Sequence, residues 1–319
     1  MKRFLAVAAA AALALSLTPA WAENVLRVGD QRGGSRALME AAGVLSGVPY
    51  KIEWSEFPAA APLLEALNAE AIDTGIVGDA PFTFAVASGA PIRAVMATQQ
   101  DQGGLAILVR PESPVKSLAD LKGKRIGTGR GSVGHQLVLA ALEDEKIAKS
   151  EVSLSFLLPA EAKAALTSGS LDAWSTWEPY TSQLVLSGEA RIVRDGQGIT
   201  PGLGFQVAHV ASIGSKRAEL EDFVHRLAKA RVWGTANNDL YAETWSKLIG
   251  LPKEVPLRWF TGANSRPAPI DSAVVAAEQR TIDLYVRSGL IPKRLDAAEV
   301  LDPSFNKAIL SGAQEASLR

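Results

Sequence analysis

The sequence predicts an α/β protein made of two similar lobes that face each other across a cleft and are joined by a hinge. Three observations predict it. Strand-like and helix-like runs alternate through the first two-thirds of the 319 residues, the pattern of sheets flanked by helices. Two blocks of the chain recur in the same order at nearly one offset. Each block also holds a short apolar strand that ends in a glycine-rich turn and opens a helix.

The plainest turn is Ile126-Gly127-Thr128-Gly129-Arg130-Gly131-Ser132-Val133-Gly134-His135-Gln136. Its glycines let the backbone turn tightly and approach a guest. Ser132 is placed to cap the following helix, whose first-turn N–H groups then point outward. Unpaired donors and the positive end of the helix dipole coincide there, which makes the turn an anion site. An echo lies 98 residues earlier, Val28-Gly29-Asp30-Gln31-Arg32-Gly33-Gly34. It continues at an offset of 99, where residues 66–73 match 165–172. Each block then leads through a short strand to an acid and a proline: Gly78-Asp79-Ala80-Pro81 and Trp177-Glu178-Pro179-Tyr180. A long-period duplication of this kind gives two lobes, each bringing two strand-to-helix turns to the shared cleft.

In chain order, residues 25–28 form a strand, and the turn at Gly33-Gly34 leads into a helix through residue 44. Strands at 50–54, 74–77 and 92–98 alternate with helices at 62–68 and 81–88. The apolar run 104–110 is read as the crossing into the second lobe, followed by a short helix at 117–123. The order then repeats: strands at 124–127, 152–157, 173–176 and 191–194, with helices at 133–146, 160–168 and 179–187. After a Gly/Pro-rich loop at 196–204, residues 205–212 return to the first lobe. From there on the chain reads as helical; Leu220, Phe223, Val224, Leu227, Ala228 and Arg231 recur at helical spacing. This gives lobe 1 as 23–108 plus 208–319 and lobe 2 as 109–207. Crossings near 108 and 207 make a clamshell hinge.

The N-terminus is a separate signal. Lys2-Arg3, an Ala/Leu-rich run and Thr18-Pro19-Ala20-Trp21-Ala22 read as a secretory signal peptide over 1–22. The run is too short for a spanning helix, which needs about 18 apolar residues. The expected product is soluble and periplasmic. With no cysteine in the chain, a disulfide framework, thiolate metal sites and a lipid anchor through an N-terminal Cys are excluded. Without Lys2 and Arg3, 31 of the 33 basic residues face 34 acidic ones, a formal net charge of −3. That balance argues against nucleic-acid binding, so any anion site is local.

Gly129 to Gly134 formally satisfies G-x-G-x-x-G, but the acid expected about 20 residues on is missing. No phosphate loop or nucleophile elbow is present, and His135, His209 and His225 lack metal-ligand spacing. No cofactor or metal is expected. His209 and His225 read as structural, while His135, in the first turn of the glycine-loop helix, is placed facing the cleft. Trp174 is read as core and Trp177 as an apolar wall, with Phe82 covering the same ligand tail. Asp79 and Glu178 suit helix capping as readily as ligand contact, and Arg32 and Arg130 suit a solvated rim.

Several segments together resemble the periplasmic aliphatic-sulfonate-binding proteins of ABC importers, within the wider sulfonate, nitrate and taurine group. They are Glu53-Trp54-Ser55-Glu56-Phe57-Pro58, Pro62-Leu63-Leu64-Glu65-Ala66-Leu67-Asn68, Gly78-Asp79-Ala80-Pro81, Ser170-Leu171-Asp172-Ala173-Trp174, and Arg266-Pro267 through Gly289-Leu290-Ile291-Pro292-Lys293. The resemblance implies the type II periplasmic binding fold, a small organic anion as ligand, a membrane ABC permease as partner, and a monomer. It also implies ligand contact by Gln31, by Gly78, Asp79 and Ala80, by Gly131, Ser132, Val133 and His135, and by Trp177 and Tyr180. Two places depart from the family pattern: Val133-Gly134-His135-Gln136, and the loop 199–204, which lacks the expected polar and aromatic residues. Nitrate, taurine or a thiamine precursor are the alternative ligands. Sulfinate desulfinases resemble the same fold, but that resemblance implies a cysteine nucleophile, absent here.

Overall fold

The computed structural model describes residues 24–32 and 34–318. The signal peptide read over 1–22 and Gly33 of the first glycine turn lie outside the described residues. The elements of the first half are β1 (Val25–Gln31), α1 (Gly34–Ala41), β2 (Lys51–Phe57), α2 (Ala60–Asn68), β3 (Thr74–Gly78), α3 (Asp79–Ala87), β4 (Ile92–Gln99) and β5 (Ala106–Val109). Next come β6 (Arg125–Thr128), α4 (Val133–Asp144), β7 (Ser153–Phe156), α5 (Pro159–Thr167), β8 (Ala173–Thr176), α6 (Tyr180–Leu186), β9 (Arg191–Asp195) and β10 (Leu203–His209). The C-terminal part holds α7 (Val210–Ser215), α8 (Arg217–Ala236), α9 (Asn238–Ile249), α10 (Glu254–Ala263), β11 (Arg266–Ala268), α11 (Ser272–Arg287), α12 (Ala297–Val300) and α13 (Asn306–Ser317).

Two sheets result, ordered β11-β4-β10-β3-β1-β2 and β7-β6-β8-β5-β9. In the first, β1 runs parallel to β2 and β3, and β10 is antiparallel to β3 and β4. In the second, β6 runs parallel to β7 and β8, and β5 is antiparallel to β8 and β9. The same layout thus occurs twice, and the duplication extends to side chains. Arg27 donates its amide and Nε to Asp73 at 2.8 and 3.1 Å, and its Nη1 reaches the Glu70 carbonyl at 2.7 Å. Arg125 repeats this on Asp172 at 2.8 and 3.1 Å, with Nη2 on the Gly169 carbonyl at 3.0 Å. In each lobe this clasp ties the first strand to the later helix–strand loop, α2–β3 in one and α5–β8 in the other.

The crossings fall earlier than the sequence reading put them. The run expected to be the crossing itself is β5, buried in the second sheet, and β10 belongs wholly to the first. The connections are therefore 100–105 and 196–202, and they bond to each other: Gln100 N–H to the Gly202 carbonyl at 2.9 Å, and Gly196 N–H to the Leu105 carbonyl at 2.8 Å. β11 is a further difference, because the sequence beyond β10 reads as helical throughout. Its proline takes the free edge of the sheet beside β4.

The first sheet is buried on both faces. Leu26, Leu38, Met39, Phe223 and Trp245 pack on one side and Leu63, Leu67, Phe82, Phe205 and Tyr285 on the other. In the second lobe Ile107, Ile126, Leu137 and Val138 form one layer, and Trp174 packs with Leu166 and Leu184 in the other. Trp174 is core, as its sequence position suggested.

Candidate ligand cleft

The carboxyl ends of the central strands of both sheets turn toward one another, the place where ligands enter open α/β sheets. A cavity of about 170 Å³ lies between them, walled by lobe 1 at residues 30–32, 76–78 and 98–105 and by lobe 2 at 132–133 and 177–178. Arg231, Tyr241 and Trp259 from the C-terminal helices complete it.

From lobe 1, β1 ends in Asp30-Gln31-Arg32. The Asp30 carboxylate is buried and accepts the amides of Ser35 and Arg36 in the first turn of α1, at 3.2 and 2.8 Å. Burial pushes its carboxyl up to about 6, against the pull of those amides and of Arg231. Gln31 spends Nε2 on the Ile76 carbonyl at 2.7 Å, tying β1 to β3 at the cavity floor. Arg32 has φ +55°, a left-handed backbone held by Trp245 Nε1 donating to its carbonyl at 2.8 Å and by its own amide on the Phe57 carbonyl at 3.2 Å. Gly78, at the end of β3, must be glycine because an added Cβ would come within 2.4 Å of Val133 Cγ1 in the other lobe.

From lobe 2, Ser132 caps α4 by accepting the His135 amide at 3.2 Å. The Val133 amide has no acceptor among the described residues and its residue lines the cavity, so a donor remains at the positive end of the helix. Trp177 forms a wall, edge-on to Tyr180 with ring centroids 6.2 Å apart. Glu178 accepts from the Ser182 hydroxyl and amide at 2.7 and 3.0 Å. Burial pushes its carboxyl up to about 7, moderated by Ser182 and by Arg258.

Buried polar atoms are normally satisfied. Nine buried side-chain atoms among the described residues lack a partner, and four of them, Arg32 Nε, Ser35 Oγ, Thr98 Oγ1 and Arg231 Nε, belong to residues on this one cavity wall. The site is therefore a set of unspent donors around a gap, with aromatic walls and acids at its edge. Its residues form no metal-ligand cluster; no such cluster occurs among the described residues.

Gln31, Gly78, Ser132, Val133 and Trp177 are brought together on the wall as the sequence suggested. Asp79, Ala80, Gly131, His135 and Tyr180 are not. Asp79 is buried behind the wall and accepts from Gln136 Nε2 and Thr281 Oγ1, each at 2.8 Å. That makes it a pin between the lobes, with its carboxyl raised by burial; Ala80 is buried beside it. Gly131 donates its amide to His135 Nδ1 at 3.2 Å, and its carbonyl accepts from the Tyr285 hydroxyl at 3.3 Å. His135 lies on the far side of α4 against Phe156, with ring centroids 5.0 Å apart. Burial, then Lys149 and Arg130, push it down to about 4, so it is a neutral structural residue. Tyr180 bridges the lobes through its hydroxyl to the Pro58 carbonyl at 3.0 Å. Phe82, expected to cover a ligand tail, is buried against Phe205. Arg130 lies over the Phe156 ring at 5.5 Å, whereas Arg32 is on the cavity.

Arg231 and Trp259 were missed. Arg231 left one readable sign, a cation continuing the apolar repeat of α8 where a leucine would be expected. Trp259 left none beyond its type, the fold alone bringing α10 to the cleft.

The comparisons with known proteins agree with this layout. The family described as NMT1/THI5 like matches residues 55–199. The putative aliphatic sulfonates-binding protein of Escherichia coli K12 is 32% identical over 306 residues, covering 93% of this chain and 95% of that protein. The solved alkanesulfonate-binding protein SsuA of Xanthomonas axonopodis pv. citri, bound to MOPS, is 33% identical, with a TM-score of 0.82 over 87% of this chain and 98% of that one. The desulfurization enzyme DSZB, at 18% identity and a TM-score of 0.65 over 90% of this chain and 99% of that one, shares the fold alone. The relatives that are similar in sequence as well are binding proteins. With two α/β lobes, a hinge of paired crossings and a cleft between them, the chain belongs to the family of aliphatic-sulfonate-binding proteins.

Proposed function

We propose that this protein captures an aliphatic sulfonate in the cleft and delivers it, as a monomer in the periplasm, to a membrane ABC permease. The observation that carries the reading is the cluster of unpartnered donors from Arg32, Ser35, Thr98 and Arg231 on one interlobe cavity. A sulfonate presents three acceptor oxygens in a tetrahedral fan, which suits donors arriving from several directions. The Val133 amide and Ser132 supply the lobe 2 side, and Gln31 and Gly78 shape the lobe 1 side. Trp177 and Trp259 face the organic tail.

A micromolar dissociation constant requires about 8 kcal/mol. A few charge-assisted hydrogen bonds of about 1.5–3 kcal/mol each reach that after ordering costs. Ligand contacts to both lobes favour the closed form, and that form is what a permease reads. The expected homes of the signal peptide and of the delivered product follow from the same reading; no helix among the described residues is long and apolar enough to cross a membrane.

A thermal-shift panel tests it. Short alkanesulfonates at about a hundred times their dissociation constant raise the melting temperature by about 5 °C, while nitrate and a thiamine-precursor pyrimidine leave it unchanged. A shift with nitrate and none with any sulfonate overturns the reading.

A further inference from the structure

A buried tyrosine hydroxyl ordinarily finds a partner, and the partner it finds decides what it does. Tyr285 on α11 is fully buried in the core layer it shares with Phe82 and Phe205 on the first sheet. Its hydroxyl crosses to the second lobe and donates to the carbonyls of Gly131 and Ser132, at 3.3 and 3.4 Å. Both carbonyls belong to the open turn that precedes α4. Burial, then the Asp79 and Glu278 carboxyls, hold the hydroxyl well above the ordinary tyrosine value, so it is a donor throughout the neutral range.

The Ser132 carbonyl and the Val133 amide are the two ends of one peptide unit. That unit is trans and planar, so its C=O and N–H point in opposite directions. A donor set behind the carbonyl therefore aims the amide the other way. The Ser132 carbonyl accepts from Tyr285 and also from the Gln136 amide at 3.0 Å. The Val133 amide has no acceptor among the described residues, and its residue lines the cavity. Hydrogen bonds through one peptide unit polarise each other, so donors on the oxygen make the N–H a stronger donor.

The rest of the turn is braced from the same lobe. An added Cβ at Gly131, whose φ is +69°, would come within 2.6 Å of Phe84 Cγ on α3. Val133 in turn presses its side chain against Gly78 at the end of β3. α3, α11 and β3 thus form a bed for a turn that the chain assigns to the other lobe, and Tyr285 supplies the hydrogen bonds to its carbonyls.

We propose that Tyr285 is a positioning residue for ligand capture, its hydroxyl holding and polarising the Ser132–Val133 peptide so that the Val133 amide meets the anion. This rests on the sulfonate reading and adds to it a residue that does not line the cavity. A tyrosine with a merely structural role loses stability when its hydroxyl is removed and leaves affinity alone; a positioning one loses affinity as well.

Calorimetry with propanesulfonate on the wild type, Tyr285→Phe and Thr281→Val tests this. Thr281 stands one turn earlier on the same face of α11 and bonds to Asp79 and Gln136, so its variant weakens the same seam without touching the turn. Tyr285→Phe lowers affinity about five- to ten-fold, the yield of one hydrogen bond, while Thr281→Val stays within about three-fold of the wild type. In nuclear magnetic resonance spectra, saturating propanesulfonate moves the Val133 amide proton downfield in the wild type and less so in Tyr285→Phe. Unchanged affinity in Tyr285→Phe, equal losses in both variants, or the same Val133 displacement with and without the hydroxyl overturns the proposal and leaves the sulfonate reading standing. No binding of propanesulfonate by the wild type overturns the sulfonate reading and the proposal with it. Should Tyr285→Phe fold poorly, the wild type still decides: the Tyr285 hydroxyl proton moves downfield on ligand binding, because an amide engaged by an anion makes its carbonyl a better acceptor, and a hydroxyl proton that does not move overturns the proposal.

Discussion

The turn after β1 and the turn after β6 descend from one pattern and do different chemistry. Both follow a first strand anchored by the same Arg–Asp clasp, both carry glycines at matching places, and both open a helix at the cleft. After β1, however, the residue matching Thr128 is Asp30, and its carboxylate takes the amides of Ser35 and Arg36. The start of α1 is thereby filled by the chain's own anion. After β6 the cap is the neutral hydroxyl of Ser132, which takes one amide and leaves that of Val133. A helix start offers an anion site only while no internal carboxylate occupies it. In the proposed site lobe 1 draws its donors from guanidinium groups and lobe 2 from the backbone.

The largest way to break this contrast is to fill the open turn. Ser132→Trp places a ring in the cavity at the α4 start and lowers sulfonate affinity by more than about a hundred-fold, the loss of two or more charge-assisted bonds. Ser132 is buried and caps α4, so the ligand-free melting temperature also falls by several degrees, and affinity is compared on the folded protein well below it. Unchanged affinity in calorimetry removes the turn from the site.

Next is the closed turn. Asp30→Ala strips α1 of a cap made to two amides and leaves them buried, so stability falls by about 2–3 kcal/mol in urea unfolding. Ser132→Ala, the counterpart, costs about 1 kcal/mol. Equal losses would mean that the two caps are equivalent and the contrast only apparent.

The part of this that was legible in the sequence is the part set by local chemistry. Glycine spacing, the Ser132 cap and the matching blocks 66–73 and 165–172 give the duplicated lobes, because strand, turn and clasp are each made within one half. Which lobe owns β5 and β10 was not legible to the residue, because both are apolar runs that suit either sheet; only pairing with β8 and β9, or with β3 and β4, decides. The site divides the same way. Gln31, Gly78, Ser132, Val133 and Trp177 stand at strand ends or helix starts and could be placed by position. The positions of His135, Asp79 and Tyr180 depend on which face of a helix or turn meets α11, Phe156 or Pro58, contacts that are hundreds of ångströms of chain apart in some cases and invisible to spacing. Arg231 belongs to this second class, apart from its anomaly within an apolar repeat.

The smallest effect on binding, and the sharpest separation of cap from site, comes from pH and His135. Asp30 and Glu178 have folded values raised to about 6 and about 7 from ordinary values of 3.8 and 4.5. Between those limits the folded protein holds more protons than the unfolded chain, so stability contributed at low pH is lost as pH rises through that window. His135 acts oppositely. Its folded value of about 4 lies below 6.5, so the unfolded chain takes up the proton first and stability falls as pH drops from 6.5 toward 4. The two trends cross in mildly acidic solution and partly cancel. His135→Asn keeps an acceptor for the Gly131 amide while removing the titration, at a cost of about 1 kcal/mol for the space left beside Phe156. Denaturant midpoints measured from pH 4 to pH 7.5 then show, for the variant, a steeper fall with rising pH than the wild type, while sulfonate affinity at pH 7 is unchanged. An affinity loss beyond about three-fold in His135→Asn would return His135 to the cleft and erase the distinction between the residues that hold the open turn and those that use it.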